Sequence, residues 1–204
     1  MNKLKHIMPC ALCLALCACG ETRVVDLNNQ ADVESMQHVM ELEYRDWENA
    51  ATKMTDSMLK SGAFARVANP VIAIDDIKND TMQRIDTDLL VKKIRKTIVN
   101  SGRAQIATTF TGEETMSNKM RAMRGNSEYN ASTIAEQGTL VAPNISLSGK
   151  MIQRNLNLKS GWFSNVDTRV EYYMQLTLTD LKTGLSIWEE EEPIVKEGDH
   201  APTW

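Results

Sequence analysis

Residues 170–179 alternate strictly between apolar and polar side chains, and this pattern constrains the fold more than any other feature of the chain. A period of two predicts a half-buried antiparallel strand. The turn-forming residues 180–184 and the run 185–188 then predict a hairpin with a returning strand. A similar alternation over residues 145–151 comes before them. The last third of the chain is therefore expected to be rich in strands.

The middle of the chain has a helical period instead. Asp46 suits an N-cap, Gly62 suits the residue after a helix, and the apolar residues between them share one face, which Trp47 heads. A second helix is predicted from a cap at Thr87 to Gly102. Trp47 here and Trp188 in the returning strand are both expected to be structural.

Three methionines predict a third helix, and three short segments predict strands. The methionines are Met116, Met120 and Met123, and at this spacing a core position is favoured over an adaptable binding surface. The apolar run 71–74 predicts a strand buried on both faces, and residues 104–110 predict another. Residues 39–44 alternate, which suggests either a first edge strand or the frayed end of a tether.

The order of these elements predicts the fold class. Helix, strand, helix, strand and helix are followed by three strands joined by hairpins. This order indicates an α+β domain, with a small mixed sheet of about four to five strands and helices packed mainly on one face.

The N-terminus resembles a bacterial lipoprotein signal. Lys3 and Lys5 precede an apolar run of about a dozen residues, too short to span a bilayer. Residues 16–19, Leu-Cys-Ala-Cys, then resemble a lipobox, whose last cysteine would be Cys19. Gly20 follows in place of the Asp that commonly retains lipoproteins in the inner membrane, which favours the outer membrane. An ordinary secretory signal is the alternative.

These patterns divide the chain into four parts. We expect a signal peptide at residues 1–18, a polar tether at 19–43 that starts at lipidated Cys19, a globular domain at 44–198 and a tail at 199–204. All four cysteines lie at or before Cys19, so the mature chain has no thiol or disulfide chemistry.

Composition and motifs favour an interaction protein over an enzyme. A net charge of −4 argues against a general nucleic-acid binder. No metal-binding or nucleophile motif occurs, and we expect no catalytic residue, metal, cofactor or small-molecule substrate. Asp75 and Asp76 are expected to be solvated carboxylates at a strand end. The glutamates 189–192 are expected to block edge pairing rather than to dock a basic partner.

Four segments, in order, resemble the LpoB family of outer-membrane lipoprotein activators of class A penicillin-binding proteins. They are residues 44–54, 79–102, 140–150 and 176–188. Each carries short matches, such as Tyr44-Arg45-Asp46-Trp47 in the first and Lys182-Thr183-Gly184 in the last. Together they span nearly the whole globular domain.

The resemblance implies both a fold and a function. The fold would be similar to the N-terminal domain of TolB, and there would be no active site. The protein would face the periplasm, stay in the outer membrane through Cys19, and bind and activate a peptidoglycan synthase. A lipoprotein of the same fold that serves another envelope assembly or secretion complex is the alternative.

Trp162 and Phe163 are the candidate partner-binding residues. They lie between two predicted strands, where a hairpin tip facing solvent is expected. Because exposed aromatics are favoured at protein interfaces, one of the pair is a candidate contact with the protein partner. The competing interpretation, slightly favoured, is that one of them folds back over the end of the core.

Overall fold

The computed structural model describes residues 25–26, 29–34, 39–110, 115–157 and 168–198. The chain divides into two units, residues 1–38 and residues 39–204. In the first unit, the described residues include a short helix α1, Gln30–Glu34, whose ends are joined by a hydrogen bond of 2.8 Å from Gln30 Nε2 to Glu34 Oε1.

The second unit contains three helices and five strands among its described residues. The helices are α2 (Tyr44–Lys60), α3 (Thr87–Ser101) and α4 (Thr115–Ala122). The strands are β1 (Val71–Asp80), β2 (Gln105–Ile106), β3 (Ile145–Asn157), β4 (Thr168–Asp180) and β5 (Leu185–Gly198). Short 3₁₀ segments lie at Ala63–Arg66, Thr108–Phe110, Met123–Gly125 and Ala131–Thr133.

All five strands form one mixed sheet in the order β2-β1-β3-β4-β5. β1 runs parallel to both β2 and β3, whereas β3, β4 and β5 are antiparallel. Helices α2 and α3 pack on each other. Helix α2 also contacts β4 and β5, and α3 contacts β1. The predicted α+β fold with a mixed sheet of up to five strands is confirmed.

The alternating pattern of β4 builds the core as predicted. The residues from Val170 to Leu178 that point to one side are all buried, and those between them are half-exposed. The buried set meets the apolar face of α2, where Trp47 is 5% exposed. Trp188 is half-buried and packs against the same core.

The helix ends are close to the predicted ones. α2 begins two residues before Asp46, and the backbone N–H of Glu43 donates to Asp46 Oδ2 at 2.9 Å, so Asp46 supports the helix start from within the first turn. In α3 the N-cap is Asp86, not Thr87, because the Asp86 carboxylate accepts from the N–H groups of Asp88 and Leu89. Gly102 ends α3 with a φ of 66°, as expected for a left-handed cap.

Of the two strands suggested at residues 39–44 and 104–110, the first is absent and the second is shorter than predicted. Residues 39–43 form no strand, because the backbone N–H and C=O of Leu42 bond to the side chain of Gln83, each at 2.8 Å, and not to a neighbouring strand. In the segment 104–110 only Gln105–Ile106 is a strand. After Ala107 N–H donates to Ile72 O at 2.8 Å, the chain turns into a 3₁₀ segment.

Two further expectations need correction. The methionine stripe is not core: Met116 is 62% exposed and no residue of α4 is buried, because the buried face of the sheet is already covered by α2 and α3. Asp75 and Asp76 are exposed as predicted, but they lie within β1, at a shift of register between Ile74 and Ile77, and not at its end. Such a bulge bends a strand and interrupts its pairing.

Candidate interaction surfaces

The described residues contain no evident catalytic centre. Among them, no group of three His, Cys, Asp or Glu side chains could hold a metal ion. Asp75 Oδ1 accepts the backbone N–H of Asp76 at 3.0 Å, a local turn contact. Two tyrosines have shifted pKa values: burial raises the pKa of Tyr172 to about 12, and a hydrogen bond to Glu171 raises the pKa of Tyr173. Neither lies beside a nucleophile or a metal cluster among the described residues.

Residues 39–43, here called the strap, are bound to the sheet by Lys196 of β5. Lys196 Nζ donates to Val39 O at 3.0 Å and to Glu41 O at 2.8 Å. The same ammonium lies 3.4 Å from Glu43 Oε2 and 2.5 Å from Asp46 Oδ2. Its side chain is only 12% exposed, so these contacts are partly shielded from water. The strap, assigned to the tether from sequence, is therefore held on the body.

Met40 and Tyr172 add to the attachment of the strap. A Cβ on Gly198 would lie 2.8 Å from Met40 Sδ, so the methionine packs directly over the glycine backbone. Tyr172 Oη donates to Met40 O at 3.4 Å. Gly198 pairs with Thr168 at one end of the β4–β5 ladder. The strap thus fixes the point at which the preceding residues reach the domain.

We call this end of the sheet, marked by Thr168 and Gly198, the tether end. The opposite end of the same ladder, where Asp180 pairs with Leu185, is the far end. At about 3.3 Å per residue, the two ends of β4 lie about 40 Å apart. Helix α2 runs alongside β5 from the tether end, and beyond it Arg66 Nη1 donates to Ile187 O near the far end at 3.3 Å.

A hollow of about 580 Å³ lies at the far end, beside the start of β1. Asn144 frames it: its Oδ1 accepts the N–H of Val71 at 2.8 Å, and its Nδ2 donates to Ala68 O and Asn69 O, both at 3.1 Å. These bonds join Asn144 to the chain that leads into β1. Residues that line the hollow include Ala68, Pro70, Val71, Arg103, Val141 and Asn144.

Large apolar side chains are exposed around the far end. Val141, on the wall of the hollow, is 64% exposed, and Leu185, the first residue of β5, is 65% exposed. Leu140 and Leu181 are also exposed. The backbone N–H of Leu181 donates to Asn144 O at 2.9 Å, which links the β4–β5 turn to the rim of the hollow.

The glutamates 189–192 lie on β5, which is an edge of the sheet. Glu192 pairs with Lys53 of α2 at 2.6 Å, and Glu190 accepts a hydrogen bond from Ser57. Glu191 accepts from Gln175 Nε2 on β4 at 2.6 Å. Three of the four thus contact the protein itself. That the run blocks edge pairing rather than docks a basic partner stays a prediction.

The sheet face away from α2 is half-exposed. Its middle row joins Ile152, Tyr173 and Pro193 across three strands. Next to that row, Tyr173 Oη donates to Glu171 Oε2 at 2.7 Å, and Arg154 Nη1 lies 3.8 Å from the same oxygen. These polar side chains satisfy one another, so this face offers less unpartnered apolar surface than the far end.

The predicted site residues Cys19, Trp162 and Phe163 lie outside the described residues. The strands on either side of residues 158–167 pair Asn157 with Thr168, so that segment connects them at the tether end. Sequence reasoning missed the strap and the hollow. Neither has a local signal, because Lys196 and Asn144 bind residues far away in the sequence.

Most of the body formed by residues 39–198 matches a known protein family. A family model described as the peptidoglycan-synthase activator LpoB matches residues 46–194. The match extends from the first turn of α2 into β5 and includes β1 to β4 and the larger part of β5. The chain belongs to the LpoB family.

Solved structures of LpoB domains are similar to this chain at low identity. The C-terminal domain of LpoB from Escherichia coli is 17% identical, with a TM-score of 0.42, and the match covers 73% of this chain and 98% of that one. The domain from Salmonella enterica is 16% identical, with a TM-score of 0.45 and the same coverage. The solution structure of Escherichia coli LpoB is 14% identical, with a TM-score of 0.40, and covers 96% of this chain and 90% of that one.

No curated protein matches the sequence. In the part of the chain that the structure describes, no helix is both long and apolar enough to cross a membrane.

Proposed function

We propose that this protein is a lipoprotein of the outer membrane that binds a class A penicillin-binding protein in the periplasm and activates its peptidoglycan synthesis. The observation that carries the proposal is the LpoB family match, which extends over most of the described body. The protein acts as a regulator and carries no catalytic residue of its own.

Anchoring follows from Cys19 and its lipobox. Two acyl chains on the thioether and a third on the amino group hold a protein in a membrane far more firmly than one chain does. Gly20 favours the outer membrane over the inner one. The residues between Cys19 and the strap then connect the body, which lies in the periplasm, to the membrane anchor.

The length of this connection limits where the body reaches. At about 3.4 Å per residue, residues 19–38 span about 70 Å at full extension. Because the strap is bound to β5, residues 39–43 add no reach. A synthase anchored in the inner membrane would therefore have to extend towards this protein through its own periplasmic part.

For Trp162 and Phe163 the proposal is that one of the pair contacts the protein partner. The alternative is that one of them folds back and covers the end of the core. The segment that carries them connects β3 and β4 at the tether end, where Asn157 pairs with Thr168.

Co-purification tests the function. The full-length protein is tagged at its C-terminus, extracted from the envelope in detergent and captured, and the bound proteins are identified by mass spectrometry. We expect a class A synthase, and we expect its glycan polymerisation rate to rise when the purified protein is added. The Cys19→Ala protein, added at the same concentration, is the matched control, because activation in solution should not need the anchor.

Two outcomes would contradict the proposal. Recovery of a secretion or other envelope complex without a synthase would favour the alternative assignment. Recovery of a synthase whose rate does not change would retain the partner but remove the role as an activator.

A further inference from the structure

We propose that the far end of the sheet, formed by the hollow beside Asn144 with Val141 and Leu185, is the surface that docks the synthase. This inference rests on the proposed function and adds where the partner binds. The occupant is a protein surface of the synthase's periplasmic part that faces the outer membrane and presents an apolar side chain to the hollow.

The first argument is the position of the tether. The strap is fixed by Lys196 and Met40 beside Gly198, so the residues that lead from Cys19 reach the body at the tether end. The far end lies about 40 Å away along β4. It is the end of the β4–β5 ladder opposite the point of attachment, so a partner docked there stays clear of the residues that lead to the anchor.

The second argument is the chemistry of the far end. Val141, on the wall of the hollow of about 580 Å³, is 64% exposed, and Leu185, at the same end of the sheet on β5, is 65% exposed. Exposed apolar side chains next to a concave surface are typical of interfaces. The three hydrogen bonds of Asn144 hold the rim, so little conformational entropy is lost when a partner binds.

The third argument is size. A standard interface buries about 800 Å² on each partner, which corresponds to a patch about 30 Å across. Such a patch does not reach from the far end to the tether end. Contact through Trp162 or Phe163 would therefore be separate from the interface proposed here, and an experiment can distinguish the two.

Site-specific photo-crosslinking in cells tests the proposal. A photoreactive benzophenone amino acid replaces Val141 or Leu185 at the far end, or Met82 or Val195 as matched controls. Met82 is 65% exposed and Val195 54%, so the four positions are similarly accessible, and both controls lie towards the tether end. We expect a class A synthase to crosslink at Val141 and Leu185, at least tenfold more than at the controls.

Charged variants give an independent readout. Val141→Glu and Leu185→Lys change exposed side chains, so the melting temperature should stay within about 2 °C. Each should reduce the synthase recovered with the full-length protein at least tenfold, while Met82→Glu and Val195→Lys leave it unchanged. Melting curves of all four variants show whether each is folded.

The outcomes separate the two proposals. A synthase crosslinked mainly at Met82 or Val195 would overturn the docking surface and leave the proposed function standing. Normal recovery of the synthase by folded Val141→Glu and Leu185→Lys proteins would do the same. Crosslinking at the far end to a protein other than a synthase would overturn both, whereas no synthase product at any of the four positions would overturn the docking surface alone.

Discussion

Gly149 and Leu176 face each other across the β3–β4 ladder so closely that a Cβ on Gly149 would lie 2.7 Å from Leu176 Cδ2. The same atom would lie 2.9 Å from the backbone oxygen of Gln175, which cannot easily move. We expect Gly149→Ala to lower the free energy of unfolding by about 1–3 kcal/mol, measured by urea denaturation. Gly125→Ala is the control, because its Cβ meets no atom within 4 Å. Equal effects of the two variants would contradict this packing.

Lys196→Met removes the charge that binds the strap. The carboxylates of Glu43 and Asp46 would lose their contact with the ammonium, and two backbone carbonyls of the strap would lose this donor. We expect a loss of about 1–3 kcal/mol in unfolding free energy and faster amide hydrogen exchange in residues 39–43.

Lys53→Met is the matched control for the strap. Lys53 also pairs with a glutamate, but its side chain is 67% exposed, so the loss should stay below about 1 kcal/mol. If amide exchange in residues 39–43 were the same in both variants, Lys196 would not be what holds the strap.

Tyr172 is expected to make stability depend on pH in the alkaline range. Burial, and then the nearby charge of Glu41, raise its pKa to about 12 in the folded state from 10.0. The unfolded chain therefore loses this proton first, so the contribution is complete below pH 10 and is lost as the pH rises towards 12. The loss amounts to at most about 3 kcal/mol.

Denaturation between pH 9 and pH 12 measures the effect of Tyr172. The range is set by the raised pKa of this side chain. Because other groups also titrate there, the quantity of interest is the difference between the wild-type protein and Tyr172→Phe. That difference should shrink or change sign as the pH rises. A difference that is constant with pH would show that the Tyr172 hydroxyl ionises equally in both states.

Cys19→Ala is expected to abolish lipidation. Metabolic labelling with radioactive palmitate should mark the wild-type protein and not the variant, which should stay unprocessed or appear as a soluble periplasmic form. Cys17→Ala is the control and should keep its label, since Leu16 before Cys17 is too large for the cleavage position. Undiminished label in the Cys19 variant would rule out this anchor.

Trp162→Ala/Phe163→Ala is expected to weaken partner binding while the melting temperature stays within a few degrees. Binding of the purified synthase and thermal unfolding are measured on the same preparations. Ser160→Ala/Ser164→Ala, in the same segment, should change neither quantity. A loss of stability in parallel with binding would assign one of the aromatics to the end of the core.

The elements that were predicted correctly have a pattern that is visible within their own short stretch of sequence. The strand β4 could be predicted because its buried and half-exposed residues, from Val170 to Leu178, alternate within one short segment. The same holds for the apolar face of α2 and for Gly102 at the end of α3. The spacing of apolar residues within an element reflects which of its faces is buried, so the sequence alone shows that face.

The errors arise where tertiary contacts decide the outcome. The spacing of Met116 and Met120 is helical, but spacing does not show whether another element covers the face, and α4 is exposed. The strap alternates like a strand, but Gln83 and Lys196 supply its partners from distant positions. The hollow likewise depends on Asn144 bonding to Val71, far away in the chain.

If Cys19 anchors the protein as proposed, the bulge at Asp75 and Asp76 and the glutamates of β5 have a consequence for copies held in one membrane plane. Lipid anchors concentrate copies of a protein in two dimensions, so that an open strand edge meets its own counterpart far more often than in free solution. Here both long edges resist that meeting: β5 presents like charges to its copy, and β1 is distorted where β2 no longer covers it. The domain can therefore be crowded at one surface without its sheets joining into a continuous ribbon.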